Sequence, residues 1–500
     1  MDKAKRVLYN TLSQYIRTGL NVILSLYSTR IVMATLGDTD YGLYSVIAGV
    51  VAMLSFVSNA LIISTQRYLS YSHSQNDIRL VSKVFGNSLM IHMAISVCLL
   101  VVLMSFTNPV VTTFLDIPLD KIAAAKVVYI CVVAMIALSF ITSPFKALFI
   151  ARENIVYISV IDVIDGVFKV GAALLLPFVG FDKLEAYAVL LTSISVFNLI
   201  AFGLYALLKY QECHLPKISE IDKEYVKKLI GFASWTLYST GCVVVRTQGI
   251  AVIINRAFGV LVNASYGIAQ QVSGALLNVS QAIANALSPQ IIKTEGEGNR
   301  EKMMYLASIE CKYAYMMLAM VAIPLIFDMH FILELWLRNV PQNSVMFCNM
   351  VIIAAMCDTL TGGLGIANQA IGKIKVYSLI FGSLKLLTLP IAYMAVRIVR
   401  DPLYAMIPFV AVELASAVFR MFYLKSTAGL RISAFLKDVI LPAVFSTCAV
   451  AGICFILDAY ISWNYKIIIL IPSAVAVVAL VAYCTMGSEE KELVKRICRR

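Results

Sequence analysis

The sequence is poor in charged residues: Asp, Glu, Lys and Arg make up only 14% of its 500 residues, whereas hydrophobic residues make up 60%. Ordinary soluble domains carry about 25% charged residues. A soluble protein of this length would need more polar surface than so little charge can supply. The composition therefore excludes a soluble globular protein and predicts a polytopic membrane protein.

The sequence also lacks the spacing patterns of metal, disulfide and nucleotide sites. Its 11 cysteines are scattered without a CxxC pair and its 4 histidines are far apart, so neither a disulfide framework nor a metal site is expected. The segment GGLGIANQAIGK, residues 362–373, has neither the GxxxxGK[ST] nor the GxGxxG spacing. No loop has room for a catalytic domain outside the membrane. We therefore expect no catalytic residues, no cofactor and no enzyme activity.

Long apolar runs are what the sequence does contain. A transmembrane helix needs about 20 largely apolar residues, and runs of this length predict an all-α polytopic membrane protein with about fourteen such helices. The predicted spans lie near residues 9–34, 41–65, 84–106, 123–146, 155–177, 186–208, 229–255, 263–287, 304–327, 345–371, 376–396, 403–424, 438–458 and 465–486.

The positions of the basic residues orient these spans. Most Lys and Arg residues fall at the N-terminus, in the loops on one side and in the C-terminal segment KELVKRICRR. Because basic residues concentrate on the cytoplasmic side, we expect both termini in the cytoplasm and attribute the net charge of +12 to the membrane rather than to nucleic acid. The predicted parts are an N-terminal lobe of spans 1–6 (1–210), a cytoplasmic connector (211–228), a C-terminal lobe of spans 7–12 (229–425), and two extra spans with a basic cytoplasmic tail (426–500).

Two short segments indicate an internal repeat. LGDTDYGLYSV follows the first span and FGVLVNASYGIAQQV follows the seventh; each has a glycine, a short polar loop and a Tyr-Gly pair. Chance agreement of turn residues is the alternative. Gly37 and the following Asp-Thr-Asp suit a helix end and the start of the next helix, so the first segment predicts a helical hairpin turn and not a phosphate loop.

Polar residues recur on one face of two predicted spans. In span 1, Gln14, Arg17 and Asn21 lie on one helical stripe, with Arg30 nearly opposite. In span 8, Gln270, Asn278, Gln281 and Asn285 lie on one line with Gly267 and Gly274. Small and amide residues also occur at packed helix seams, but an amide stripe along a whole helix favours the wall of a polar cavity.

Charged residues inside the spans are expensive and are usually functional. Arg17, Arg246 and Lys385 have no acid nearby on their own helices. As unpaired cations facing a polar cavity, they imply an anionic ligand. Asp165 with Lys169, and Glu413 with Arg420, are expected to form ion pairs within one helix.

The fourteen spans, the cytoplasmic termini, the first hairpin R…LGDTDYGLYSV and the later QRYLSY resemble the multidrug/oligosaccharidyl-lipid/polysaccharide (MOP) exporter superfamily, and most of all its Wzx-like O-antigen-type polysaccharide flippases. The resemblance implies a two-lobed bundle whose central cavity opens alternately to each side. It also implies that an undecaprenyl-pyrophosphate-linked oligosaccharide crosses the bacterial inner membrane from the cytoplasmic to the periplasmic leaflet, for surface polysaccharide such as lipopolysaccharide. A polysaccharide polymerase and assembly proteins are the implied protein partners.

Guanidinium groups suit a pyrophosphate because they form bidentate, charge-assisted hydrogen bonds, whereas amides suit sugars. The expected substrate-binding residues are Arg17, Asn21, Arg246, Gln270, Asn278, Gln281, Asn285 and Lys385. Asp358 and Glu413 are the expected acids for coupling to a proton or sodium gradient. The alternatives are a cation-coupled multidrug or metabolite antiporter, which would need unpaired acids, and a membrane enzyme, which would need a large outer loop.

Overall fold

The computed structural model describes residues 3–52, 55–75, 77–114, 121–213, 221–337, 340–460, 466–487 and 491. These residues form helices and contain no strand. Parts of the predicted connector (214–220) and of the basic tail (488–490 and 492–500) lie outside the described residues. The chain divides into two compact units: the N-terminal unit, Tyr9–Leu237, and the C-terminal unit, Tyr238–Arg500 together with Met1–Leu8.

The N-terminal unit is built around one apolar helix. Its helices are α1 (Lys3–Ala52) from Tyr9 onward, α2 (Ser55–Ser74), α3 (Ile78–Ser105), α4 (Thr107–Pro109), α5 (Ile122–Ala151), α6 (Ile155–Leu175), α7 (Lys183–Lys209) and the first part of α8 (Lys223–Phe258). Helix α5 packs against α2, α3 and α7. Most of its sequence is aliphatic or aromatic, so it can bury residues on several sides at once.

The C-terminal unit also has a central helix. It contains the rest of α8, then α9 (Val260–Gly296), α10 (Arg300–Phe327), α11 (Met329–Leu337), α12 (Ser344–Thr359), α13 (Gly362–Ile371), α14 (Ile374–Leu386), α15 (Thr388–Val399), α16 (Leu403–Ala428), α17 (Ile432–Phe435), α18 (Leu441–Tyr460) and α19 (Ile467–Thr485). Helix α10 packs against α9, α12, α13, α18 and α19. The boundary between the units falls inside α8, after the predicted connector.

The described residues confirm the all-helical membrane fold. Ten stretches of the described chain are long and apolar enough to cross a membrane, and the bent pair α12 and α13 makes an eleventh. The other three predicted spans, 41–65, 155–177 and 263–287, also fall on helices, namely α1 with α2, α6 and α9. Residues 53 and 54 of the first of these lie outside the described residues. The total of fourteen spans therefore stays a prediction.

The two segments of the suspected repeat turn in the same way. Gly37 interrupts α1 with φ 76° and ψ 171°, and Gly259 separates α8 from α9 with φ 86° and ψ 176°. A side chain would be strained in this backbone conformation, which glycine adopts freely. The first segment is thus a turn between helices, as predicted. Lys121, just before α5, donates to the Asp40 carboxylate after this turn at 3.0 Å.

Charged side chains also connect the ends of three helices in the N-terminal unit. Glu212, just after α7, accepts hydrogen bonds from Arg152 (2.6 Å) and lies 3.5 Å from the His73 imidazole. Burial alone would raise the pKa of Glu212. The hydrogen bonds from His73 and Arg152 outweigh burial and lower this pKa from 4.5 to about 2. The ends of α2, α5 and α7 are therefore held by a carboxylate that stays ionised at neutral pH.

Candidate functional site

Arg17 of α1 has an acidic partner on another helix. Its guanidinium donates to Asp162 of α6 at 2.7 Å and to Gln14 at 2.6 Å. The Lys146 ammonium lies 3.6 Å from the other oxygen of Asp162. The three charged side chains are partly exposed. This group, the Arg17 cluster, therefore holds two cations around one acid and has a net positive charge.

The polar stripe of α1 lies against α6. A Cβ built on Gly166 would come within 2.9 Å of Asn21 Oδ1, and Ser28 donates to the Lys169 carbonyl at 3.4 Å. Glycine at position 166 thus allows α1 to approach α6 closely, which brings Arg17 to Asp162 one turn away. Arg30, outside this contact, is exposed.

The predicted pair within α6 is present. The Lys169 ammonium lies 2.7 Å from Asp165, and Asn198 of α7 donates to the same carboxylate at 2.7 Å. Because i and i+4 side chains share one face of a helix, this pair could be predicted from local spacing alone.

The C-terminal unit contains a larger charged group around Glu413 of α16. Arg246 of α8 donates to one oxygen of Glu413 at 2.5 Å, and Lys385 of α14 donates to the other. The side chains of Glu413, Arg246 and Lys385 are only 5%, 6% and 2% exposed. One buried carboxylate therefore bridges two buried cations from two other helices.

Asp358 of α12 extends this group. Its carboxylate lies 3.0 Å from Arg420 of α16 and 3.5 Å from Lys385. Arg420 also donates to Tyr377 Oη at 3.1 Å and to Thr361 Oγ1 at 3.2 Å. We call Arg246, Lys385, Arg420, Glu413 and Asp358 together the C-terminal charge network. It has three cations and two acids.

Glycines bring the helices of this network together. A Cβ on Gly249 of α8 would lie 2.5 Å from a methyl group of Leu389, and one on Gly382 of α14 would lie 2.8 Å from the Tyr238 ring. Both positions therefore bring α8 close to its neighbours α14 and α15. The Arg246 guanidinium lies between these two contacts along α8 and stacks over the Phe409 ring at 4.0 Å.

Two expectations about the charges are wrong. Arg17, Arg246 and Lys385 are not unpaired, since Asp162 and Glu413 lie beside them on other helices. Glu413 forms its ion pairs with Arg246 and Lys385, and Arg420 pairs with Asp358. The expectations considered only partners on the same helix, whereas a buried charge takes its partner from whichever helix packs against it.

The amide stripe of α9 borders open space. Asn278 and Gln281 are exposed, and Gln270 and Asn285 are partly exposed. A Cβ built on Gly267 or on Gly274 would meet no heavy atom within 4 Å. The opposite face of α9 packs into the unit through buried apolar residues such as Ala269 and Leu276. The stripe is therefore an accessible polar surface and not a packed seam.

Besides Lys146 of the Arg17 cluster, the structure adds a second residue that sequence analysis missed. Glu310 of α10 is buried and lies against Gly363, where a Cβ would come within 2.5 Å of its Oε2 atom. Its neighbours Cys311 and Lys312 are buried as well. Because α10 is enclosed on several sides, it has no polar stripe that would have pointed to Glu310. Within the described residues, no group of three His, Cys, Asp or Glu side chains is arranged to hold a metal ion.

Residues 4–295 match the family model of the polysaccharide biosynthesis proteins. No curated protein sequence matches the chain. Solved structures with a similar fold include MATE in the bent conformation, with a TM-score of 0.73, 13% identity, and coverage of 88% of this chain and 98% of that chain.

Two further structures show the same likeness. One is a multidrug resistance MATE family transporter of the MOP superfamily in an outward-facing conformation (TM-score 0.71, 12% identity, 87% and 97% coverage). The other is a MOP superfamily transporter from Pyrococcus furiosus, whose binding pocket of reverse polarity suggests a different function (TM-score 0.70, 13% identity, 87% and 97% coverage). The chain thus has the helical transporter fold of these proteins and, by the match over residues 4–295, belongs to the polysaccharide biosynthesis protein family.

Proposed function

We propose that this protein is a flippase that moves a lipid-pyrophosphate-linked oligosaccharide from the cytoplasmic to the periplasmic leaflet of the bacterial inner membrane. The undecaprenyl-linked form is the substrate that the first hairpin and the family suggest. The family membership supports a role in polysaccharide synthesis, and the transporter fold supports alternating access. A surface polysaccharide polymerase would then receive the product.

The observation that carries the proposal is the open amide face of α9. Exposed Asn and Gln side chains at membrane depth are costly against lipid, so a face with Asn278 and Gln281 accessible suits a water-filled path. Amide groups donate and accept hydrogen bonds, as sugar hydroxyls do. We assign the oligosaccharide to this face, with Gln270 and Asn285 at its two ends.

We assign the pyrophosphate to the Arg17 cluster in the present conformation. Arg17 and Lys146 surround one acid and are partly exposed, so an anion can approach them without breaking a buried ion pair. Asn21 lies one turn from Arg17 on the same helix. Arg246 and Lys385 are buried against Glu413 and would contact a pyrophosphate only in a conformation that opens those pairs.

We assign Asp358 and Glu413 to gradient coupling by a proton or a sodium ion. Both acids are already paired with cations, so a coupling cation would have to compete with Arg or Lys. The same pairing argues against a drug site at these two acids, because neither is free to hold a cationic drug.

The test measures flipping of a fluorescent lipid-pyrophosphate-linked oligosaccharide in vesicles that contain the purified protein. We expect Arg17→Ala to slow flipping about 10- to 150-fold, as the loss of a charge-assisted hydrogen bond of about 1.5–3 kcal/mol predicts. Arg30→Ala, on the exposed side of the same helix, is the matched control and should flip normally.

A second variant separates substrate binding from a structural ion pair. Asp162→Asn keeps both cations of the Arg17 cluster and should retain flipping, because an anionic substrate needs the cations and not the acid. Equal losses in Arg17→Ala and Asp162→Asn would contradict the assignment of the pyrophosphate. Absence of flipping by the wild-type protein would contradict the flippase itself.

A further inference from the structure

Glu310 is a carboxyl group buried deep in the C-terminal unit. It is 3% exposed, and the hydrogen-bonding groups beside its carboxyl are the Gly363 backbone N–H and the Cys311 thiol. Among the described residues, no Lys or Arg nitrogen lies within the 4.0 Å of an ion pair with it. It differs in this from Asp358 and Glu413, each of which contacts two cations.

The carboxyl of Glu310 lies at the break between α12 and α13. Both of its oxygens would be 3.8 Å from a Cβ on Gly362, and Oε2 would be 2.5 Å from one on Gly363. These glycines are the first two residues of α13. The axes of α12 and α13 differ in direction by 42° across this break. Position 363 therefore needs a residue without a side chain, whereas a Cβ at position 362 would be in ordinary van der Waals contact with Glu310.

The other side of the break is held by a cation. Arg420 donates to the Asp358 carbonyl at 3.0 Å, next to the last residue of α12, and to Thr361 Oγ1 at 3.2 Å. The carbonyl end of a helix is negative and its amide end is positive. A guanidinium thus lies at the negative end of α12, while a carboxyl lies at the positive end of α13.

The charged and titratable groups that face Glu310 are Asp358 of α12, Arg420 of α16 and Cys311 of its own helix. Lys312 donates instead to the Thr485 carbonyl of α19 at 3.2 Å. In this arrangement Arg420 is engaged with Asp358. An ionised Glu310 would have the amide end of α13 beside it but, among the described residues, no cation within ion-pair distance. A buried carboxylate without a cation is expensive inside a membrane protein.

We propose that Glu310 is a proton-binding site that is protonated while Arg420 pairs with Asp358. When Arg420 leaves Asp358 and pairs with Glu310, the proton passes to water and the carboxyl becomes a carboxylate. Asp358, whose side chain is 40% exposed, is the more accessible member of the pair, since Arg420 is 8% exposed. Since Arg420 also holds the end of α12, this exchange changes the bend between α12 and α13. The role in coupling rests on the proposed transport function; the binding of the proton does not.

Infrared spectroscopy of the purified full-length protein without substrate tests the protonation. We expect a C=O stretching band of a protonated carboxyl group at pH 7 that is lost in Glu310→Gln. Glu301→Gln, an exposed position on the same helix, is the matched control and should keep the band. A band that persists in Glu310→Gln, or no band in the wild type, would overturn the proposal.

Two further measurements, neither of which depends on flipping, test the protonation state of Glu310 and the exchange of Arg420. Glu310→Gln should unfold at the wild-type temperature, because glutamine resembles the protonated acid. A much lower unfolding temperature would show that the fold requires an ionised carboxylate at this position. Arg420→Gln should move the titration of the carboxyl band to higher pH, and an unchanged titration would refute the exchange.

In vesicles with a pH gradient, Glu310→Gln should lose the gradient-driven part of flipping. Gradient-driven flipping at the wild-type rate would refute coupling through Glu310, whereas an inactive wild type would refute only the flippase.

Discussion

The bridging position of Glu413 makes Glu413→Gln the most informative stability test. The substitution keeps the side-chain volume and removes the charge that neutralises Arg246 and Lys385. Both cations are almost fully buried, and Lys385 keeps only Asp358 at 3.5 Å. Removing one partner of a buried ion pair costs about 3–5 kcal/mol. The C-terminal charge network would then carry three cations and one acid.

This energy corresponds to a measurable change in the unfolding temperature. A cooperative unit of 150–250 residues loses about 2–4 °C per kcal/mol, so we expect Glu413→Gln to lower the unfolding temperature in detergent by about 6–20 °C. The assay heats the purified protein and measures the fraction that stays monodisperse. Glu334→Gln, an exposed acid on α11 of the same unit, is the matched control and should lose less than about 2 °C.

A double variant distinguishes charge imbalance from altered packing. The double variant Glu413→Gln/Lys385→Met removes one of the two cations that have lost the Glu413 charge. Its unfolding temperature should therefore be higher than that of Glu413→Gln alone. An unfolding temperature of Glu413→Gln equal to that of the control would refute the reasoning, because a bridging carboxylate could not then be removed without cost. If the double variant unfolds at a still lower temperature, altered packing and not charge imbalance causes the loss of stability.

Three other predictions follow from contacts in the structure. Gly363→Ala should destabilise the protein by about 1–3 kcal/mol because its Cβ would collide with the backbone carbonyl of Ala307 and with the carboxyl of Glu310. Gly274→Ala, with open space around it, should unfold at the wild-type temperature or slightly above it. Lys169→Ala should lower stability by less than about 1 kcal/mol, since its ammonium is half exposed and Asp165 keeps another partner; a loss of several kcal/mol, measured by heating in detergent, would show the pair to be essential. The lowered pKa of Glu212 adds stability that is fully present above pH 4.5 and is lost as the pH falls towards 2. Glu212→Gln should therefore unfold earlier at pH 7 and lose less between pH 5 and pH 3 than the wild type, and parallel pH profiles would contradict this.

Features that depend on neighbours along the chain could be predicted from the sequence. Most predicted spans correspond to helices of the expected position, because an apolar run of about 20 residues has few other stable states. Asp165 and Lys169 were paired correctly since four residues bring side chains to one face. The matching turns at Gly37 and Gly259 followed from the glycines themselves.

Features that depend on which helices pack together could not be predicted. Asp162 lies 145 residues from Arg17, and Glu413 lies 167 residues from Arg246. Helical spacing shows which face of a helix is polar, but it carries no information on the helix that will meet that face. The cations therefore looked unpaired in the sequence although each has an acid beside it.

By itself, the sequence determined that this is a helical membrane protein, where most of its helices run, and that α9 has an amide face. These properties follow from local composition and periodicity, which act within one helix. The tertiary structure alone decided that this face borders open space, that Glu413 bridges two cations, and that no Lys or Arg of the described residues forms an ion pair with Glu310. The reason is physical: the state of a buried charge is set by the groups that packing brings within a few ångströms of it, and those groups come from distant parts of the chain.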